Sequence, residues 1–134
     1  MTDQNTPITY RDLRVWQRGM DVVTMTYAMA RRLPPDQKYV LTSQMQRAAI
    51  SIPLNIAEGY GRCHLGDYRR HISIANGSLL ELETCVLIAL RLGYVSEEDA
   101  AGVKSMLVEL GRMLAVLARR LTAKARNKAL TPDP

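Results

Sequence analysis

Ser51-Ile-Pro-Leu-Asn-Ile-Ala-Glu-Gly-Tyr-Gly-Arg62 carries the strongest structural pattern of this sequence. The stretch is apolar on one side and polar on the other, has a proline inside a helical pattern, and closes on a Gly-x-Gly turn. Pro53 removes one backbone donor and crowds the carbonyl of Ala49, so we expect a kinked helix. We expect Gly59 and Gly61 to end this helix and to permit a tight reversal.

Two neighbouring stripes run along this helix. The apolar stripe consists of Leu41, Met45, Ala48, Ile52 and Ile56. The polar stripe consists of Arg47, Ser51, Asn55 and Glu58, and Ser78 and Glu81 of the next helix can face it. Because buried polar groups need partners, we expect Arg47 to pair with Glu58 or Glu81. These six residues predict a structural polar network or a subunit interface, in preference to a ligand site.

Three further segments carry apolar residues at the 3-4 spacing of packed helices. The first helix, with Asp12 as its N-cap, has the stripe Leu13, Trp16, Met20, Val23, Tyr27 and Ala30. The third helix begins near His64 and has the stripe Tyr68, Ile72, Ala75, Leu79, Leu82, Val86 and Ala89. The fourth helix has the stripe Val103, Leu107, Leu110, Leu114, Leu117 and Leu121. Asp36 is the expected cap of the second helix, Gly93 follows the third, and Ser96 to Asp99 forms a capping box for the fourth.

Four helices joined by short loops, each with one heptad stripe, predict an all-α protein. The expected architecture is an up-down-up-down antiparallel four-helix bundle. A chain of 134 residues suits one domain. We expect a flexible N-terminal arm over residues 1–9, the bundle over 10–128 and a flexible tail over 129–134.

The composition favours a cytoplasmic protein without a membrane segment. Residues 1–7 are polar and lack the apolar core of a signal peptide. No apolar run reaches the roughly 20 residues that a membrane span needs. Cys63 and Cys85 are expected to be free thiols.

Metal binding and catalysis have weak support. His64, Asp67 and His71 share a helix face, but a solvated first helical turn is the strongly favoured explanation. A di-iron bundle would need Glu-x-x-His pairs on two helices, and the sequence has none. The sequence also lacks nucleophile-elbow, phosphate-loop and His-Glu-x-x-His motifs. We therefore expect no enzyme activity, no metal and no cofactor.

The basic residues are concentrated in the last helix. Six of them, and no acidic residue, lie between positions 112 and 128: Arg112, Arg119, Arg120, Lys124, Arg126 and Lys128. The rest of the chain has 12 basic and 13 acidic residues. Such a strip is suited to nucleic-acid phosphates, and the absence of interleaved aromatic residues predicts low sequence specificity. The alternative is a solvated helix end, where cations suit the helix dipole.

Apolar residues outside the main stripes predict self-association. The third helix has a second apolar stripe formed by Ile74, Leu80, Leu87 and Leu90. Met25 and Met29 add apolar surface to the first helix. A bundle with more apolar surface than one core buries usually forms an oligomer.

Four motifs resemble the four-helix-bundle family encoded in intervening sequences of bacterial 23S ribosomal RNA genes. They are Asp12-Leu-x-Val-Trp16, Ser43-Gln-x-x-Arg47, Ser51-Ile-Pro-x-Asn-Ile-Ala-Glu-Gly59 and Ile74-Ala-x-Gly-Ser-x-x-Glu81. The resemblance implies a cytoplasmic, ring-like homopentamer without catalytic activity. The fold is also similar to the accessory variability protein of diversity-generating retroelements, which implies nucleic-acid binding alongside a reverse transcriptase. The basic strip lies outside the shared motifs, and His64 stands where such sequences usually have Ser.

The resulting hypothesis is a non-enzymatic oligomeric bundle that binds structured RNA or DNA electrostatically through its fourth helix. Its partners are then itself and a nucleic acid. The alternative is a protein-interaction or structural scaffold, in which the basic strip only contacts solvent and the partner is another protein.

Overall fold

The computed structural model describes residues 8–130. Four helices account for most of this range: α1 (Arg14–Ala30), α2 (Leu41–Tyr60), α3 (Leu65–Arg91) and α4 (Glu97–Leu130). Single 3₁₀ turns at Tyr10–Asp12 and Pro35–Gln37 precede α1 and α2, and the described part of the chain has no strand. Each helix packs against its neighbour in sequence, and α1 also packs against α4. The predicted all-α four-helix bundle is therefore confirmed.

The predicted apolar stripes of α2 and α3 form the centre of the core. All five members of the α2 stripe are buried, and so are all members of the α3 stripe except the half-buried Tyr68. In α4, the stripe from Val103 to Leu121 is buried except at Leu117, which is half-buried. These stripes are confirmed because their spacing keeps them on one helix face toward the bundle axis.

The apolar stripe predicted for α1 is wrong, because the helix is rotated about its axis so that a different face is buried. The buried face consists of Val15, Gly19, Val22, Thr26 and Met29, with Ala30 beside it. Met20 and Tyr27 of the predicted stripe are exposed (42% and 37%). A Cβ on Gly19 would lie 3.4 Å from the Cβ of Pro53, so α1 approaches α2 through a residue without a side chain. A prediction based on hydrophobicity gives little weight to Gly19 and Thr26, so it misses this face of α1.

Two of the predicted helix caps are wrong. The Asp12 carboxylate accepts a hydrogen bond from the Thr9 N–H within the 3₁₀ turn, and α1 begins after Leu13. Asp36 lies in the second 3₁₀ turn, five residues before α2 begins at Leu41. The heptad pattern predicted the positions of both helices, but it did not predict the 3₁₀ turns that precede them.

The other two predicted helix boundaries are confirmed. Ser96 and Asp99 exchange hydrogen bonds at the start of α4, with the Asp99 N–H donating to Ser96 Oγ (3.0 Å) and the Ser96 N–H donating to Asp99 Oδ2 (3.1 Å). Gly93 has φ of +74° between α3 and α4, a conformation that side chains disfavour.

The helix α2 continues past its predicted end. It passes through Pro53 as one helix and ends at Tyr60, so Gly59 lies inside it and Gly61 is its C-cap. The predicted reversal therefore uses residues 61–64, and Gly59 has a different role. A Cβ at Gly59 would lie 2.7 Å from the Cβ of His71 and 3.1 Å from the ring of Tyr68. Because Gly59 has no side chain, α2 and α3 can approach each other closely at this position.

The buried stripe of α4 changes character near its C-terminal end. After Leu117 and Leu121, the next two positions at the same 3-4 spacing are Lys124 and Lys128. No side chain from residue 122 to residue 129 is buried. The helix extends to Leu130, two residues beyond the predicted domain boundary, while residues 1–7 and 131–134 of the predicted arm and tail lie outside the described range. The end of α4 is therefore helical but has no core to contact.

Within the described residues, α3 is long and apolar enough by composition to cross a membrane. A core helix of a bundle meets the same criterion, and 44% of its most apolar window is buried inside the fold. It packs against both α2 and α4. Contacts within the bundle account for the buried apolar face of α3, whereas Ile74, Leu80 and Leu87 remain exposed.

Candidate nucleic-acid interface

Antiparallel packing brings the beginnings of α1 and α3 to the same end of the bundle as the ends of α2 and α4. A groove lined jointly by Leu13 of α1, Tyr68 of α3 and Leu117 of α4 shows this arrangement directly. We call this end the basic end. It contains eleven arginines and lysines, which are Arg11, Arg14, Arg62, Arg69, Arg70 and the six predicted residues of α4. Among residues 8–130, three carboxylates lie there, namely Asp12, Glu58 and Asp67.

The six predicted α4 residues are all exposed, and within residues 8–130 none of them makes an ion pair. They form two rows. Arg112, Arg119 and Arg126 are seven residues apart and share one helix face. Arg120, Lys124 and Lys128 are four residues apart and form a second row. Side chains without internal partners are free to contact an external anion.

Between α3 and α4 lies a groove of about 510 Å³, the α3–α4 groove. Its polar lining comes from Arg69, Arg70, Ser73, Asn76 and Thr122. The small residues Gly66, Ala115 and Ala118 leave the space open. Guanidinium, hydroxyl and amide groups are the side chains that donate hydrogen bonds to phosphate oxygens in nucleic-acid complexes.

Between α1 and α4 lies a second groove of about 480 Å³, the α1–α4 groove. Its apolar floor consists of Leu13, Val15, Tyr68, Met113, Val116 and Leu117. The arginines Arg14, Arg112 and Arg120 also line it. Within the described range none of these three makes an ion pair. The fold thus places an aromatic residue of α3 beside the basic strip of α4.

The phenol of Tyr68, which lines this groove, has a raised pKa. Burial raises its pKa, and the neighbouring Tyr60 raises the pKa further. The two rings meet edge to face with centroids 6.1 Å apart. The phenol therefore stays neutral at physiological pH and keeps its O–H donor.

The predicted polar network joins α2 to α3 through Ser51, Asn55 and Ser78. The Ser78 hydroxyl donates to Ser51 Oγ (2.7 Å). Asn55 Nδ2 donates to the carbonyl oxygen (2.8 Å) and to Oγ (3.0 Å) of Ser51. Asn55 Oδ1 lies 3.0 Å from His71 Nδ1. These contacts are internal to the fold and consistent with a register-fixing role.

His71 is a network member that sequence reasoning missed. It was grouped with His64 and Asp67 because of their spacing, but it is buried and its ring contacts Asn55. The available indication was its distance of seven residues from Ser78, which places both on the core-facing side of α3. His64, in contrast, is an exposed N-cap. Among the residues that the structure describes, no three His, Cys, Asp or Glu side chains are grouped to hold a metal.

Glu58 lies at the exposed edge of the network. Its hydrogen bond from Arg62, four residues later, is the main cause of a lowered pKa. His71 Nε2 lies 3.9 Å from Glu58 Oε1. This separation is beyond hydrogen-bond distance, and His71 Nε2 has no hydrogen-bond partner within the described residues, so the hydrogen bond of Glu58 goes to Arg62.

Arg47 and Glu81 lie outside this network, and the predicted pairing of Arg47 with a carboxylate does not form. Arg47 donates to Ser43 Oγ (3.3 Å) on its own helix. Glu81 accepts a hydrogen bond from Gln44. Arg47, Gln44 and Glu81 are exposed, so these three side chains contact solvent. Ser51 and Ser78, in contrast, contact each other between α2 and α3.

The fold and this basic end define a class of protein, an all-α four-helix bundle with one cationic end. A family model described as "23S rRNA-intervening sequence protein" matches residues 11–116. The chain belongs to this family.

Comparison with solved structures supports the fold. The chain is similar to the crystal structure of a protein of unknown function from the S23 ribosomal protein family of Bacteroides thetaiotaomicron, with a TM-score of 0.72. The two are 21% identical, and the match covers 78% of this chain and 97% of that chain. At this identity the likeness shows the shared bundle alone. No curated protein matches this chain.

Proposed function

We propose that this protein is a non-enzymatic, oligomeric bundle that binds structured RNA or DNA electrostatically through the basic end. The observation that carries the proposal is the set of six exposed α4 cations, none of which makes an ion pair in the described chain. Cations held within reach of one another release counterions when they meet phosphates, which supplies sequence-independent affinity.

The neighbouring helices support the same function. Arg69 and Arg70 face the α3–α4 groove together with Ser73, Asn76 and Thr122, and these side chains supply donors for a sugar–phosphate backbone. Eight acidic residues lie toward the middle and the opposite end, including the Glu97, Glu98 and Asp99 cluster that begins α4. Seven basic residues accompany these eight acids, so the excess positive charge of the described chain is concentrated at the basic end, which orients an approaching polyanion.

The test is a charge-reversed variant in which Arg119, Arg120 and Lys124 are each changed to Glu. We expect nucleic-acid affinity to fall at least about a hundredfold, because three phosphate contacts become repulsive. The matched control changes Arg31, Lys38 and Arg91 to Glu. These residues are also exposed cations, they lie at the other end of the bundle, and their reversal gives the same net charge.

Binding is measured by fluorescence anisotropy with labelled duplex RNA and DNA at several salt concentrations. The affinity of the wild type should fall steeply with salt, by about 10³-fold or more between 50 and 200 mM if six phosphates are contacted. Equal losses in both triple variants would show a net-charge effect and not a site. Unchanged affinity in the first variant would refute the proposal.

Self-association has support from apolar surface. Ile74, Leu80 and Leu87 of the predicted second α3 stripe are exposed (40%, 52% and 49%), whereas Leu90 is half-buried. Met25 and Met29 do not contribute as predicted, because Met29 is buried and Met25 is half-buried against the core. Five subunits is the number that the family resemblance implies, and light scattering after gel filtration measures it. A Leu80→Lys, Leu87→Lys variant should reduce the assembled mass.

A scaffold that docks another protein is the second candidate. The observation that favours it is an apolar groove of about 290 Å³ between α1 and α2, lined by Tyr10, Trp16, Met20, Val23, Ile50, Pro53, Leu54 and Ala57. The two candidates differ in what copurifies with the protein. A 260/280 nm absorbance ratio typical of pure protein, together with one stoichiometric protein partner, favours the scaffold.

A further inference from the structure

The α1–α4 groove has a lining that phosphate binding does not explain. Six of its nine lining residues form an apolar floor, and Val116 at its surface is 38% exposed. Phosphate oxygens gain no hydrogen bond or ion pair from apolar side chains. Exposed apolar surface surrounded by charged residues marks a binding site for a group with an apolar face.

We propose that this groove binds an unpaired nucleobase, so that the protein prefers RNA or DNA with a bulge or loop over a continuous duplex. This inference rests on the proposed function and adds the structural class of the nucleic acid. A base in a continuous helix keeps both faces stacked and offers no apolar surface, whereas an unpaired base offers one.

The dimensions and side chains suit a base. A volume of about 480 Å³ falls in the range of clefts that enclose small ligands, about 300–1,000 Å³. The guanidinium groups of Arg14, Arg112 and Arg120 are able to stack on a base or pair with its phosphate. Tyr68 adds an aromatic side chain to the lining, and aromatic side chains stack on bases.

Continuity with the phosphate-binding surface favours a nucleic acid over other anions. Arg112 lines the groove and is also the first residue of the row that continues with Arg119 and Arg126. Seven residues of helix span about 10.5 Å. This is about three base steps of 3.4 Å along one strand. A strand with one base in the groove therefore has its backbone positioned to follow the row.

The experiment compares a continuous RNA duplex with the same duplex carrying a one-nucleotide bulge, by fluorescence anisotropy at fixed salt. We expect the wild type to bind the bulged RNA about tenfold more tightly, the gain typical of one stacked base. Val116→Trp fills the groove and should remove this preference. Val108→Trp, a second exposed α4 valine that lies outside the groove, should keep it.

A milder variant guards against misfolding, with thermal unfolding as the check. Val116→Thr keeps the side-chain shape and should reduce the preference to about threefold, because a hydroxyl makes the floor less favourable for a base face. A wild type that binds both RNAs equally would overturn this inference and leave the proposed function intact. Failure to bind either RNA, and also the DNA duplexes of the same two designs, would overturn both.

Two further results would also overturn the inference. One is a tenfold preference retained by a folded Val116→Trp variant. The other is binding to phosphatidylglycerol vesicles that Val116→Trp abolishes, without any preference for the bulge, which would assign the groove to a lipid.

Discussion

Two glycines, Gly59 in α2 and Gly102 in α4, occupy positions where a Cβ would lie closer than 3 Å to a side chain of the adjacent helix. At Gly59 the neighbour is the Cβ of His71, 2.7 Å away, which is fixed to the backbone of α3. At Gly102 it is the Cε of Met25, 2.6 Å away, the free end of a flexible side chain of α1. Although the two distances are similar, an added methyl group is harder to accommodate at Gly59 than at Gly102.

The α2–α3 contact is fixed by backbone approach and by the hydrogen bonds among Ser51, Asn55, Ser78 and His71. The α1–α4 contact is adjustable and contains the groove proposed to bind a base. The bundle thus combines a closely packed α2–α3 contact with an α1–α4 contact that leaves a groove open.

The largest expected effect is at Gly59. Gly59→Ala should destabilise the protein by about 2 kcal/mol, since the added methyl group overlaps the root of the His71 side chain and the helices must separate. Urea unfolding measures the change. Gly77→Ala, in α3 with open space at its Cβ, is the control and should stabilise by about 0.5–1 kcal/mol through helix propensity. Equal responses at the two sites would contradict the rigid contact.

The next effect is at Asn55. Asn55→Leu should cost about 1–2 kcal/mol, because it leaves the buried ring nitrogen of His71 without its partner. Chemical unfolding and gel filtration together distinguish loss of stability from loss of assembly. Arg47→Ala, which removes a residue bonded only to Ser43, should change stability by less than about 0.5 kcal/mol. A stable, assembled Asn55→Leu protein that no longer binds nucleic acid would instead assign the residue to a ligand site.

A smaller effect concerns the start of α4, beside the adjustable contact. Hydrogen bonds from the backbone and side chain of Ser96 lower the pKa of Asp99. A carboxyl with a lowered folded-state pKa stabilises the fold above the ordinary value of about 4, and this stabilisation is lost as the pH falls through the lowered value. Asp99→Ala should therefore lower Tm at pH 7 but make little difference near pH 2.

The matched control for this cap is Glu98→Ala, in the same helical turn and without a hydrogen bond to Ser96. It should leave Tm nearly unchanged at both pH values. A Tm deficit of Asp99→Ala that persists at acidic pH would show that the carboxylate is not responsible.

The smallest expected effect is at Gly102. Gly102→Ala should change stability by less than about 1 kcal/mol, because Met25 can change rotamer and the helix gains propensity. The measurement is urea unfolding alongside Gly59→Ala. A loss at Gly102 as large as that at Gly59 would show that the α1–α4 contact is rigid too.

The sequence predicted the bundle because the stripes of α2, α3 and α4 have one dominant apolar face. It failed for α1, where a more hydrophobic face with Met20 and Tyr27 competes with the packed face that contains Gly19 and Thr26. Small residues define the closest helix contacts, and hydrophobicity ranks them low. Distinguishing the two faces required knowing that Pro53 lies opposite Gly19.

The candidate interface could be predicted in part. The α4 strip is continuous in the sequence and was identified from it. Arg14, Arg69 and Arg70 joined it only through folding, because antiparallel packing aligns chain segments that are far apart in sequence. The same limit concealed Tyr68 in the α1–α4 groove and His71 in the network.

The replacement of leucine by Lys124 and Lys128 in the heptad of α4 has a dynamic consequence. The side chains of these last turns are not buried, so this end of α4 lacks the tertiary packing that supplies most of the stability of helices in proteins. The amide hydrogens of these turns should therefore exchange rapidly in the free protein and slowly once phosphates neutralise the lysines. Under the proposed function, bound phosphates would stabilise the last turns of α4, and part of the binding free energy would be spent on ordering them.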